Sequence, residues 1–223
     1  MNSEWAKARR MVLEASKEME AMGLVTGTSG NVSMRLPEQN GAELMAVTPS
    51  SISYSRMTER HIVISDFELE PVEGDFIPSV ESPLHVEIYR RRPDAGAVVH
   101  THSVYASVLA VAGLELPPLI DEMVIRVGGA VGVSEYGFPG SQELADAVCD
   151  ALEDRKAALI RNHGAVAVGS DLQEALEIAA LVERICQIYL FSRMLGAANP
   201  LPPDVVETEA ALYRMKLQAS TGG

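Results

Sequence analysis

An α/β or α+β fold, one domain with helices on the faces of a mixed or antiparallel sheet, is what this sequence predicts. Three observations carry that expectation. Apolar runs of strand length, Leu44–Val47, Ala97–His102 and Ala157–Arg161, are separated both by tight turns and by longer helical stretches. Such alternation does not suit a purely parallel sheet. Trp5, Ala8, Val12, Ala15, Met19 and Met22 recur every three or four positions, the period of an amphipathic helix. The chain has 223 residues, 47% of them hydrophobic and 22% charged, an ordinary globular mixture that favours a single domain over 1–223. Folding at this length buries roughly 70% or more of the unfolded surface, so no disulfide or structural metal is needed.

The elements follow in order. The first helix spans Ser3–Met22 and stops at Gly23; a turn rich in small residues, Gly27–Asn31, then opens onto a strand at Val32–Leu36. Leu44–Val47 reads as the next strand, closed by Thr48-Pro49-Ser50-Ser51, and His61–Ser65 as another. Glu81-Ser82-Pro83 begins a helix with proline in its first turn, where a missing N–H is harmless, and Pro93 ends it after Arg92. A strand at Ala97–His102 leads into a helix at Ser103–Ala112, stopped before Pro117-Pro118. Met123–Val127 is read as a strand, Ser141–Glu153 as a helix, and Ala157–Arg161 and Ala165–Val168 as strands around Asn162-His163-Gly164. Helices at Asp171–Leu195 and Asp204–Gln218 complete the chain.

Charge and cysteine content narrow the function. A net charge of −13 argues against nucleic-acid binding, which needs a basic face. The anionic surface still leaves room for an anionic substrate, because backbone amides and a metal can hold one. No apolar run is long enough for a membrane span, and Met1–Arg10 lacks the apolar core of a signal peptide. The two cysteines, Cys149 and Cys186, both fall in helices, which fits a reducing compartment and a cytoplasmic protein.

The candidate chemistry lies with the histidines. His100 and His102 are two apart on a strand, so both imidazoles leave the same face. Either they share a metal, for which neutral imidazole is a favoured ligand, or they make ordinary hydrogen bonds at a sheet edge. His163 is delivered by another apolar strand and followed by Gly164, so it could complete a set of three. His61 reads as a half-exposed strand residue and His85 as a helix residue, both structural. Glu81 stands where a loop enters a helix; it is either the carboxylate of an open metal site or an acid favoured by the helix dipole. Gly27–Asn31, with Ser50, Ser51 and Ser79, offers N–H groups and hydroxyls to an anion, although turn chemistry explains the same residues.

Taken together, Gly-Thr-Ser-Gly-Asn-Val-Ser (27–33), Thr-Pro-Ser-Ser (48–51), Ser-Val-Glu-Ser-Pro-Leu-His (79–85), Ala-Val-Val-His-Thr-His-Ser (97–103) and Arg-Asn-His-Gly (161–164) form a set. In this order they resemble the class II aldolase and adducin-head family. The resemblance runs in register from about Met11 to Leu195. It implies a three-layer α/β/α domain around a mainly antiparallel sheet, assembled as a homotetramer with sites at subunit boundaries. It further implies a zinc ion, or another divalent transition metal, held by His100, His102 and His163. Glu81 falls on the family's metal-binding carboxylate, which also serves as base. Gly30, Asn31, Ser50, Ser51, Ser79 and Val80 fall on the phosphate-binding positions. Val80 stands where the family has a second serine and Ser51 where it has a glycine.

The activity so implied is reversible cleavage of a ketose 1-phosphate, of the L-fuculose 1-phosphate kind, to dihydroxyacetone phosphate and a small aldehyde. A related epimerase branch places aspartate at position 81, so glutamate favours the aldolase. Glu122 stands about where the family's aldolases carry a proton-donating tyrosine, a position that dehydratases of the family fill with glutamate. A sugar-phosphate dehydratase, epimerase or decarboxylase is therefore the alternative enzyme. Tyr213 is a further candidate for the missing tyrosine. A non-catalytic domain like the adducin head has no need of the metal set.

Overall fold

The computed structural model describes residues 3–221. Met1, Asn2, Gly222 and Gly223 lie outside the described residues, so expectations that extend over them concern only the remainder. The elements are α1 (Ser3–Ala21), β1 (Asn31–Gln39), β2 (Ala42–Val47), β3 (Val63–Asp66), β4 (Pro71–Glu73), α2 (Ser82–Arg91), β5 (Ala97–Thr101), α3 (Val104–Ala112), α4 (Asp121–Val127), α5 (Gln142–Leu152), β6 (Ala157–Ile160), β7 (Gly164–Gly169), α6 (Leu172–Met194) and α7 (Pro203–Thr221). The strands form one sheet in the order β4-β3-β2-β1-β5-β7-β6, and each neighbouring pair is antiparallel.

The sheet is apolar on both sides, which is why its strands read as continuous hydrophobic runs. Alternate residues sort into two clusters. Leu44, Ala46, Ala97, Val99, Leu159, Ala165 and Ala167 face α1, α3 and α6, whose Val12, Met19, Leu109, Ile178 and Ile185 complete that layer of core. Met45, Val47, Val98, Ala158, Ile160, Val166 and Val168 face α2 and α5, with Leu84, Ile88, Leu144, Val148 and Leu152. The architecture is the expected α/β/α sandwich. Cys149 belongs to the second cluster and Cys186 to the first; both are buried free thiols on opposite faces of the sheet.

Two local expectations are corrected, and one strand is added. Met123–Val127 is not a strand but most of helix α4, which starts at Asp121 and ends at Gly128 in the left-handed region, φ 104°. A stretch of five residues, four of them apolar, is too short to show a period of its own; the acids before it and the glycine after it set the helix. His61 is not half-exposed strand but a buried residue of a single 3₁₀ turn, Glu59–His61, where its Nδ1 accepts from the Thr58 N–H at 2.9 Å. Strand β4 was not anticipated, because three residues beginning with proline, two exposed and one half-buried, carry no alternation. Proline is tolerated there because β4 is the edge strand.

Candidate active site

Register delivers the histidines. His100 pairs across to Asn31 on β1 and to Val166 on β7, on the sheet face covered by α2. His102 follows on the same side, just past the end of β5, where its N–H donates to the Leu24 carbonyl. Two glycines let the neighbouring segments close on this strand. A Cβ at Gly164 would lie 2.1 Å from the Thr101 carbonyl oxygen, so only glycine lets β7 start beside His102 and bring His163 with it. A Cβ at Gly30 would lie 2.6 Å from the His100 carbonyl oxygen, and its φ of 72° suits glycine as well. Glu81 enters from the α2 side as the residue immediately before that helix.

The outcome is a compact cluster. One ligand atom from each of Glu81, His100, His102 and His163 lies within 4.8 Å of all the others. His100 Nε2 stands 3.0 Å from His102 Nε2 and 3.3 Å from Glu81 Oε2, and His163 Nε2 is 3.2 Å from Glu81 Oε1. The His100 Nδ1–H donates to the Ala165 carbonyl at 2.9 Å, which leaves the Nε2 lone pair aimed into the cluster. Glu81 is 8% exposed, and its Oε1 is buried with no hydrogen-bond donor.

Electrostatics point the same way. Burial lowers the His102 pKa, and the neighbouring His100 and His163 push it further, to about 4. Burial and His100 lower that of His163 as well. For His100 burial acts downward but the Glu81 carboxylate outweighs it, and the pKa rises. Burial would raise Glu81, yet the His100, His163 and His102 rings hold it well below the ordinary carboxylate range. An ionised carboxylate with an orphaned oxygen, facing converging imidazole nitrogens, fits a divalent transition metal. No other group of this kind occurs among the described residues.

Around this cluster the structure gathers most of the other expected positions. The turn after β2 and the loop before α2 are bridged at Pro49 and Pro78, with the Ser50 N–H donating to Ile77 and the Ser79 N–H to Thr48. Ser50, Ser51, Ser79 and Val80 therefore share one rim beside Glu81. Ser51 has φ 60°, so the backbone there is one that glycine adopts more readily. Gly30 is fixed by its carbonyl, which accepts from the Tyr54 hydroxyl at 2.8 Å. Asn31 is buried, and its Nδ2 donates to Glu81 Oε2 at 2.9 Å.

Two expected residues are not brought in within one chain. Glu122, on the first turn of α4, pairs with Arg184 of α6 in a cleft shared with Met22, Arg126 and Glu177. Tyr213 is buried on α7, where its hydroxyl donates to the Asp154 carbonyl at 2.6 Å and its ring covers Gly128. Residue spacing alone overlooked His85, Ser33 and Tyr89, which stand behind Asn31 in one buried hydrogen-bonded series. The available signals were that Ser33 lies two residues from Asn31 along a strand and His85 one helical turn from Glu81.

This fold has known counterparts. The model of the Class II Aldolase and Adducin N-terminal domain family matches residues 10–190. The 5-deoxy-D-ribulose 1-phosphate aldolase of Bacillus thuringiensis serovar kurstaki is 35% identical over 207 residues, which cover 93% of this chain and 95% of that protein. The L-fuculose phosphate aldolase of Escherichia coli K12 is 36% identical over 196 residues, covering 88% and 87%. A solved structure of an L-fuculose 1-phosphate aldolase superposes with a TM-score of 0.86 at 33% identity, covering 93% of this chain and 96% of the other. The chain belongs to the class II aldolase and adducin N-terminal domain family. Within that family it is an enzyme of the lyase class, an aldolase.

Proposed function

We propose that this protein reversibly cleaves a ketose 1-phosphate, of the L-fuculose or 5-deoxyribulose type, into dihydroxyacetone phosphate and a small aldehyde. The observation that carries it is the convergence of Glu81, His100, His102 and His163 on one point, with Glu81 Oε1 buried and unbonded. These four residues would hold zinc, which as a Lewis acid stabilises the negative charge left on the triose when the carbon–carbon bond breaks. Glu81 takes and returns the proton at the triose carbon. Asn31 orients its carboxylate. Gly30, Asn31, Ser50, Ser51, Ser79 and Val80 form the rim that receives the phosphate, through N–H groups and hydroxyls. Glu122 protonates the aldehyde oxygen. Because it shares none of the cluster's contacts within one chain, this role places the α4–α6 cleft against the site of a neighbouring subunit in a homotetramer. The enzyme is assigned to the cytoplasm.

Exchange of the dihydroxyacetone phosphate proton with solvent, followed by NMR, tests these roles because it needs no aldehyde. Glu81→Gln should suppress exchange by about 10²- to 10⁴-fold, while Glu122→Gln should leave exchange intact and slow only the full condensation. Glu122 in place of a tyrosine specifically favours a second reading, a dehydratase. Under that reading exchange survives Glu81→Gln, dies in Glu122→Gln, and no carbon–carbon cleavage product forms.

A further inference from the structure

Behind the cluster runs a buried series of side chains that all donate in one direction. Tyr89 OH lies 2.7 Å from Ser33 Oγ, and Ser33 Oγ lies 2.6 Å from His85 Nδ1. His85 Nε2 is hydrogen-bonded to Asn31 Oδ1, and Asn31 Nδ2 donates to Glu81 Oε2 at 2.9 Å. Tyr89, Ser33, His85 and Asn31 are all at most 1% exposed, so water cannot substitute for any link. An ionised carboxylate can only accept, so the Asn31 amide NH₂ must face Glu81 and its carbonyl must face His85. That carbonyl also only accepts, so His85 must carry its proton on Nε2 and present a bare Nδ1. Ser33 then donates to Nδ1, and Tyr89 is left to donate to Ser33. One tautomer and one amide orientation satisfy the whole series.

We infer that His85 is a positioning residue for Glu81: through Asn31 it ties down Oε2 and leaves Oε1 as the free oxygen of the base. The inference rests on the proposed function for its kinetic consequence but not for its geometry. Without the Nε2–H donor, the Asn31 amide can turn its carbonyl toward Glu81, and the carboxylate loses its tether. Of the phosphate rim His85 touches only Asn31 Oδ1, an acceptor that cannot hold a phosphate, and it touches none of the three histidine ligands, so substrate affinity and metal content should be spared.

The test compares His85→Leu, which removes the donor, with His85→Gln, whose amide NH₂ can stand in for Nε2–H, and with Ser33→Ala, a smaller change. In the wild type, imidazole ¹⁵N NMR should show His85 as the Nε2-protonated tautomer with a slowly exchanging proton; Ser33→Ala should admit the other tautomer. In zinc-loaded protein, His85→Leu should lower kcat by about 10- to 100-fold with KM and zinc content unchanged, and His85→Gln should restore most of it. An Nδ1-protonated His85 in the wild type overturns the inference. So does a His85→Leu variant with wild-type kcat, or equal losses in the Leu and Gln variants. If wild-type protein forms no aldol product at all, the proposed function fails, and the tautomer measurement alone decides the positioning role.

Discussion

At the scale of the residue, the site rests on a few side chains whose surroundings fix their protonation. His100 and His102 were legible because strand geometry has a period of two, and the paired register with Asn31 and Val166 carries that through. His102→Ala should abolish stoichiometric zinc binding and activity while leaving the melting transition cooperative; full metal content by elemental analysis would remove His102 from the site. His85 was read as a structural helix residue, since sequence does not show what lies across the sheet from it. It is fully buried, and burial together with the His100 charge lowers its pKa to about 3. An unfolded histidine titrates near 6.5, so below that pH the unfolded chain takes up a proton the folded protein refuses. Stability is therefore lost as pH falls from about 6.5 toward about 3, at up to about 1.4 kcal/mol per pH unit for this one group. Urea unfolding at pH 7 and pH 5 should show a larger loss for the wild type than for His85→Gln.

Among the elements, what could be read from sequence was whatever carried a period or a stop signal. Helix α6 and strands β5, β6 and β7 were visible as long or strongly apolar segments between clear breaks. Helix α4 was misread because a stretch as short as Met123–Val127, apolar at four of its five positions, fits a strand as well as a helix, and only its acidic start and Gly128 decide. No pattern in the sequence reveals that Gly164 exists for the close approach of β7 to β5, because that depends on which strands are neighbours. Gly164→Ala tests this approach. Its methyl would meet backbone rather than a flexible side chain, so β7 must shift, with an expected cost of about 1–3 kcal/mol. His163 would shift with it. Zinc affinity should fall together with stability, whereas unchanged zinc affinity would show that His163 is placed by something other than this contact.

For the molecule as a whole, the three-layer sandwich was expected from the family resemblance, and the two core layers bear it out. Assembly was not legible in the same way, because the residues that one copy offers another are set by surfaces rather than by periods. Placing Glu122 at the aldehyde oxygen makes a homotetramer part of the account. Light scattering should give four times the 24.0 kDa chain, and a fully active monomer would contradict it. The central claim is that one divalent metal at Glu81, His100, His102 and His163 drives carbon–carbon bond chemistry on a triose phosphate. The most direct measurement adds zinc stepwise to chelator-treated protein with dihydroxyacetone phosphate and a panel of small aldehydes, and counts aldol product by mass. Product formation should rise in proportion to zinc and level off at one equivalent per chain. Aldol product from metal-free protein, or none at any zinc loading, would contradict the account.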